Sequence, residues 1–90
     1  MGSVDWFESA DNYVKVRVGV AEHLVRTTLQ RLEQRLDPAR FQRIHRSAIV
    51  NLERVSELRS HLNGEYFVTL DSGHTLKLSR SYKDKIKLLR

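Results

Sequence analysis

Phe41-Gln42-Arg43-Ile44-His45-Arg46-Ser47-Ala48-Ile49-Val50-Asn51 sets two short apolar pieces around a cationic connection. Phe41 and Ile44, then Ala48, Ile49 and Val50, suit burial, while Arg43, His45, Arg46 and Ser47 offer cations and a hydroxyl. Such groups hydrogen-bond phosphate oxygens and base edges. Two buried pieces flanking a polar one predict a connection held rigidly at the surface, as a scaffold presents a recognition loop. Basic residues between hydrophobic segments more often form a solvated face, so the rest of the chain must decide.

Upstream, Tyr13-Val14-Lys15-Val16-Arg17-Val18 alternates, with three valines on one face and Tyr13, Lys15 and Arg17 on the other. That is the pattern of an antiparallel strand with one wet face. Asp11-Asn12 marks a turn before it, and His23–Arg26 is expected to return after a turn near Gly19. Downstream, Asn63-Gly64 favours a type I′ hairpin because both central residues need positive φ. Asp71-Ser72-Gly73 then separates Tyr66–Leu70 from His74–Leu78, which completes a three-stranded meander. Two helices interrupt the strands. Thr27 and Gln30 resemble a capping box ahead of Leu29, Leu32 and Leu36, and Asp37-Pro38 stops that helix. Ser81 is positioned to cap a C-terminal helix with Tyr82, Ile86 and Leu89 on one face. The expected fold class is mainly β.

Ninety residues without cysteine make one domain that needs no disulfide. Met1-Gly2-Ser3 reads as a cloning remnant, leaving residues 4–90 as the domain. No apolar run approaches the ~20 residues of a membrane helix, and a cytoplasmic location is expected. The net charge of +5 is unevenly spread. Residues 26–46 hold six arginines against two acids, and residues 77–90 hold six cations against one acid. The stretches 1–25 and 47–76 are each mildly acidic. Two basic blocks brought together by folding make a face for a polyanion.

Four motifs in order resemble the LytTR-type DNA-binding domain of bacterial transcriptional regulators. They are Trp6-Phe7-Glu8-Ser9-Ala10-Asp11-Asn12-Tyr13, the Thr28-Leu29…Leu32-Glu33…Leu36 helix, the Phe41-to-Asn51 stretch and Leu78-Ser79-Arg80. The resemblance covers nearly the whole chain. It implies an elongated stack of three small antiparallel sheets with one or two short helices. It further implies duplex DNA bound through loops in successive major grooves, on promoter direct repeats, by pairs of domains. A receiver or other sensory domain is implied N-terminal to this one, in a two-component regulator.

Carried over residue by residue, the resemblance makes Asn12 and Tyr13 part of a base-contacting loop and gives Arg80 a base-reading position. Arg80 suits that role chemically, because a guanidinium donates two parallel hydrogen bonds to O6 and N7 of guanine. Its alternative is an exposed ion pair with an acid such as Asp84. The backbone-contacting set is Arg43, His45, Arg46, Ser47, Ser81 and Lys83, with Arg46 close to a groove edge. Within it, Ser81 is equally suited to be a plain helix cap. His45 either donates to phosphate or shapes the turn through a backbone carbonyl, and the structural role is favoured. Asn51 is expected to tie a turn by side-chain hydrogen bonds. Trp6 and Phe7 are expected in the core or against a neighbouring domain.

Catalysis finds no support. The histidines at 23, 45, 61 and 74 lack metal-ligand spacing, and no nucleophile elbow or Gly-rich phosphate loop is present. No metal or cofactor is expected. Two other binding modules compete with duplex DNA. An RNA-binding β domain stacks bases on sheet aromatics, but Tyr13, Tyr66 and Phe67 form no obvious platform. A protein-interaction or dimerisation module would turn the basic face to an acidic partner.

Overall fold

The computed structural model describes residues 4–60 and 65–79. Eight strands and one helix follow in order: β1 (Trp6–Ala10), β2 (Tyr13–Val18), β3 (Ala21–Val25), α1 (Leu29–Arg35), β4 (Phe41–His45), β5 (Ala48–Asn51), β6 (Val55–Ser60), β7 (Tyr66–Leu70) and β8 (Thr75–Leu78). A single 3-10 turn, Leu52–Arg54, links β5 to β6. The Asn63-Gly64 turn and the C-terminal helix lie outside the described residues, as do Arg80, Ser81 and Lys83.

All pairings are antiparallel, in a five-stranded sheet ordered β3-β2-β1-β5-β4 and a three-stranded sheet ordered β6-β7-β8. The mainly β fold and the meander are therefore as expected, but the described strands make two sheets rather than three. The reason is β1, which pairs with β2 along one edge and β5 along the other. It fuses two hairpin units that would otherwise be separate sheets. The longest dimension is 34 Å against 23 Å in the other two.

The central strands are buried on both faces, which explains why Trp6-Phe7 and Ala48-Ile49-Val50 are continuous apolar runs rather than alternating ones. Trp6, Ile44, Ala48 and Val50 face the three-stranded sheet and pack with Val68, Leu70 and Leu78. Phe7, Val14, Phe41 and Ile49 face the other way, onto Leu29 of α1, with Leu32 and Leu36 half-buried beside them. Three layers result: helix, five-stranded sheet, three-stranded sheet. The small sheet does not extend over β2 and β3. There the same face carries Lys15, Arg17 and Glu22, with Lys15 3.8 Å and Arg17 3.5 Å from Glu22. The alternation in β2 records that half-covered position.

The helix starts one residue later than the sequence suggests. Thr28, not Thr27, is extended at φ −119 and ψ 158, and its hydroxyl accepts from the Arg31 amide at 3.2 Å. Shifting the cap by one lets Leu29 enter the core at the first helical position. The stop is as expected, with the Asp37 carboxylate accepting from the Ala39 amide at 2.9 Å.

Two buried polar residues tie the chain together near its beginning. Asn51 is fully buried, donates from Nδ2 to the Val4 carbonyl at 2.7 Å, and accepts the Glu53 amide at 3.0 Å. It thus caps the 3-10 turn, as its expected turn-tying role requires. Asp5 accepts the Gly19 amide at 2.9 Å and lies 3.6 Å from the Arg54 guanidinium. Gly19 sits at φ +59, in the left-handed region that glycine enters at little cost.

Candidate nucleic-acid interface

Antiparallel pairing dictates which connections share an end of the sheet. Ala10, the last residue of β1, pairs with Tyr13, so the Asp11-Asn12 turn caps that end. Asp11 adopts φ 56 there, a conformation that Asp tolerates better than most side chains. Since β5 is antiparallel to β1, with Glu8 opposite Ala48, the Arg46-Ser47 turn before β5 projects from the same end. The Ser9 amide donates to the Ser47 carbonyl at 3.0 Å and locks the two turns side by side. The exit from β3 belongs to this end as well, because Val25 pairs with Val14.

The Arg46-Ser47 turn is unusually well held. His45 pairs directly with Ala48, while Ile44 is an extra residue, a bulge between the Arg43–Ile49 and His45–Ala48 pairs. Bulges re-aim the side chains that follow. The bulged Ile44 carbonyl accepts the Ser79 amide at 2.8 Å, so the residue after β8 is pinned to this same end. Ser79 immediately precedes Arg80.

Side chains complete the turn. Arg43 Nε donates to the His45 carbonyl at 3.1 Å, Nη2 to the Arg46 carbonyl at 2.6 Å, and Nη1 to the Glu33 carboxylate at 3.0 Å on α1. Its guanidinium clasps the turn from within and ties it to the helix. His45 Nδ1 accepts the Ser47 amide at 3.1 Å. The sequence anticipated His45 shaping the turn by donating to a carbonyl; instead it accepts from an amide, and the neutral ring then carries its proton on Nε2. Arg46 is exposed, and its guanidinium has no ion pair or hydrogen bond among the described residues. The Ser47 hydroxyl is likewise unengaged among them. Asn12 is exposed, and Tyr13 is 43% exposed at the neighbouring turn.

Among the described residues, salt bridges engage most other cations: Lys15, Arg17, Arg40, Arg54, Arg59 and Lys77 each face an acid. Arg26, Arg31 and Arg35 do not, among the described residues, and all three are exposed. Residue type alone assigns them no role, and the basic block over residues 26–46 is their signal in the sequence. No group of three or more metal-ligating side chains lies together among the described residues, and no described helix is long and apolar enough to cross a membrane.

Comparison with known proteins places the fold in a family. The family model of the LytTr DNA-binding domain matches residues 1–90. A transcriptional regulatory protein, LytR of Staphylococcus aureus strain MW2, is 38% identical over 72 residues, covering 78% of this chain and 29% of the relative. A sensory transduction protein, LytT of Bacillus subtilis strain 168, is 32% identical over 79 residues, covering 88% of this chain and 33% of the relative. The chain thus spans about a third of the length of these relatives. In structure it is similar to the LytTr DNA-binding domain of a putative methyl-accepting/DNA response regulator from Bacillus cereus, with a TM-score of 0.90, 25% identity, and coverage of 98% of this chain and 81% of that one. With its full length matched by the family model and its fold superposing on a solved member, this chain belongs to the LytTr DNA-binding domain family.

Proposed function

We propose that this chain, through residues 4–90, reads a specific sequence in duplex DNA as the output domain of a bacterial response regulator. Loops at one end of the sheet enter successive major grooves, and binding rather than catalysis is its role. The observation that carries the reading is the shared end. The Asn12 turn, the Arg46-Ser47 turn and the Ser79 anchor all lie there, on paired strands.

Asn12, Tyr13 and Arg80 contact bases in this reading. Arg46 and Ser47 contact phosphates, and Ser81 and Lys83 extend that set toward the C-terminus. Phosphate contacts fix register while base contacts specify sequence. Arg43 and His45 hold the turn that presents Arg46, so their part is positional. The names of the staphylococcal relative, a transcriptional regulatory protein, and of the Bacillus relative, a sensory transduction protein, support a place in signal-dependent transcription regulation, which in this reading is two-component and cytoplasmic. In such a protein a receiver domain precedes this one, and two copies of this domain occupy a direct repeat.

A duplex titration with competitors tests the reading. A labelled promoter-derived duplex should be displaced by its own sequence at far lower concentration than by unrelated duplex or single-stranded RNA. Equal displacement by RNA contradicts the reading and favours the RNA-binding alternative.

A further inference from the structure

Arg26, Arg31 and Arg35 gather where β3 hands over to α1. Asn12, Arg26, Thr27, Thr28 and Arg31 line one shallow cleft. Arg26, Thr27, Arg31 and Arg35 line an adjoining one, with Val25 and Leu32 at its apolar side. Nothing in the fold requires the charges. Arg31 and Arg35 are an i, i+4 like-charge pair, an unfavourable arrangement on a helix. No acid among the described residues pairs with any of the three. Three exposed guanidiniums concentrated beside a cleft are complementary to a dense anion.

Position identifies that anion. Along the recognition end of the sheet, the strand order places Arg26 after β3, Asn12 between β2 and β1, and Arg46 between β5 and β4. Strands about 4.8 Å apart make this a row about 17 Å long. That length matches about five base-pair rises of about 3.4 Å along a duplex axis. Asn12 and Arg26 line the same cleft, so backbone flanking a base contacted by Asn12 is within reach of Arg26.

Resting on the function proposed above, we propose that Arg26 and Arg31 form a second phosphate-binding site, which takes the backbone flanking the base read by the Asn12-Tyr13 loop. Arg46 holds the backbone on the far side of that loop, so the two sites bracket it. Arg35, one turn further along α1, adds long-range attraction without a required contact. The bracket fixes the tilt of the Asn12 turn in the groove, a task that phosphate contacts on one side of it alone cannot perform.

The test compares the 90-residue chain with its Arg26→Gln/Arg31→Gln variant on one specific duplex across salt concentrations. Two lost phosphate contacts should flatten the salt slope by about two units, so the variant loses about tenfold less affinity between about 50 and about 200 mM salt. Its ranking of single-base site variants should be unchanged. A full slope in a folded variant overturns the second site and leaves duplex recognition standing. Absence of specific duplex binding by the parent chain overturns the proposed function and this site with it. A measurement without any variant adds independence: neutral methylphosphonates placed one at a time along the duplex should weaken binding on both sides of the base read at Asn12-Tyr13. A one-sided footprint also overturns the proposal.

Discussion

Arg43 Nη2 reaches forward three residues to the Arg46 carbonyl at 2.6 Å, so the exposed Arg46 is held by a half-buried arginine of the same strand end. The same guanidinium also engages the His45 carbonyl and Glu33. One planar fork therefore holds the entry to the two-residue turn and couples it to α1. Lysine is a point charge on a flexible stem and cannot reproduce three divergent contacts.

Arg43→Lys should accordingly lower stability by about 1–2 kcal/mol, the worth of the hydrogen bonds lost. DNA affinity should fall with the salt slope unchanged, because no phosphate contact is removed. Thermal melting and a salt titration measure the two effects. A slope lower by about one unit would place Arg43 itself on a phosphate.

Arg46→Ala should leave the melting temperature unchanged, since its guanidinium has no partner among the described residues. Binding to every duplex should weaken alike, with the slope flattened by about one unit. Selective weakening on one site variant would make Arg46 a base reader.

His45→Ala leaves the Ser47 amide without its acceptor and should cost about 1 kcal/mol. His45→Asn should restore the turn, because an Asn side-chain oxygen accepts from the amide two residues on, as in an Asx turn. The Ser47 amide resonance in a nitrogen–proton spectrum reports which turn forms. Equal perturbation by both variants would contradict the acceptor role.

Much of this was legible in the sequence. The β2 alternation, the Asp11-Asn12 and Asp71–Gly73 turns and the Asp37 helix stop are local signals, and each appears where the residues put it. What was not legible is non-local. Residue order does not reveal that β1 pairs on both edges, so two sheets stand where three were expected. The cap fell on Thr28 rather than Thr27 because burial of Leu29 chose between two adjacent threonines. Arg43 and Arg46 are indistinguishable as letters; the Arg43–Ile49 pairing brings one against α1, while the other falls in the turn and is exposed. Arg26 and Arg31 were counted as charge without being seen as neighbours of Asn12, since the β2–β3 register brings them there.

Asn51→Ala should be among the most destabilising single changes, at about 2–4 kcal/mol, because it strips the partners of the Val4 carbonyl and the Glu53 amide. Chemical denaturation measures it. DNA affinity per folded molecule should hold, as Asn51 lies at the end of β5 away from the Arg46 turn. A loss below about 0.5 kcal/mol would mean water replaces the side chain at both groups.

In the function proposed above, loops at one end of the sheet read base sequence in duplex DNA, with Arg80 as a base reader. Selection of bound duplexes from a randomised pool, run in parallel with the parent chain and Arg80→Ala at two salt concentrations, tests it most directly. The account predicts a defined motif that loses its preference at one base position in the variant, for a cost of roughly 1–3 kcal/mol. Recovery of no motif, with binding that collapses at the higher salt, would contradict it and reduce the interface to a polyanion surface.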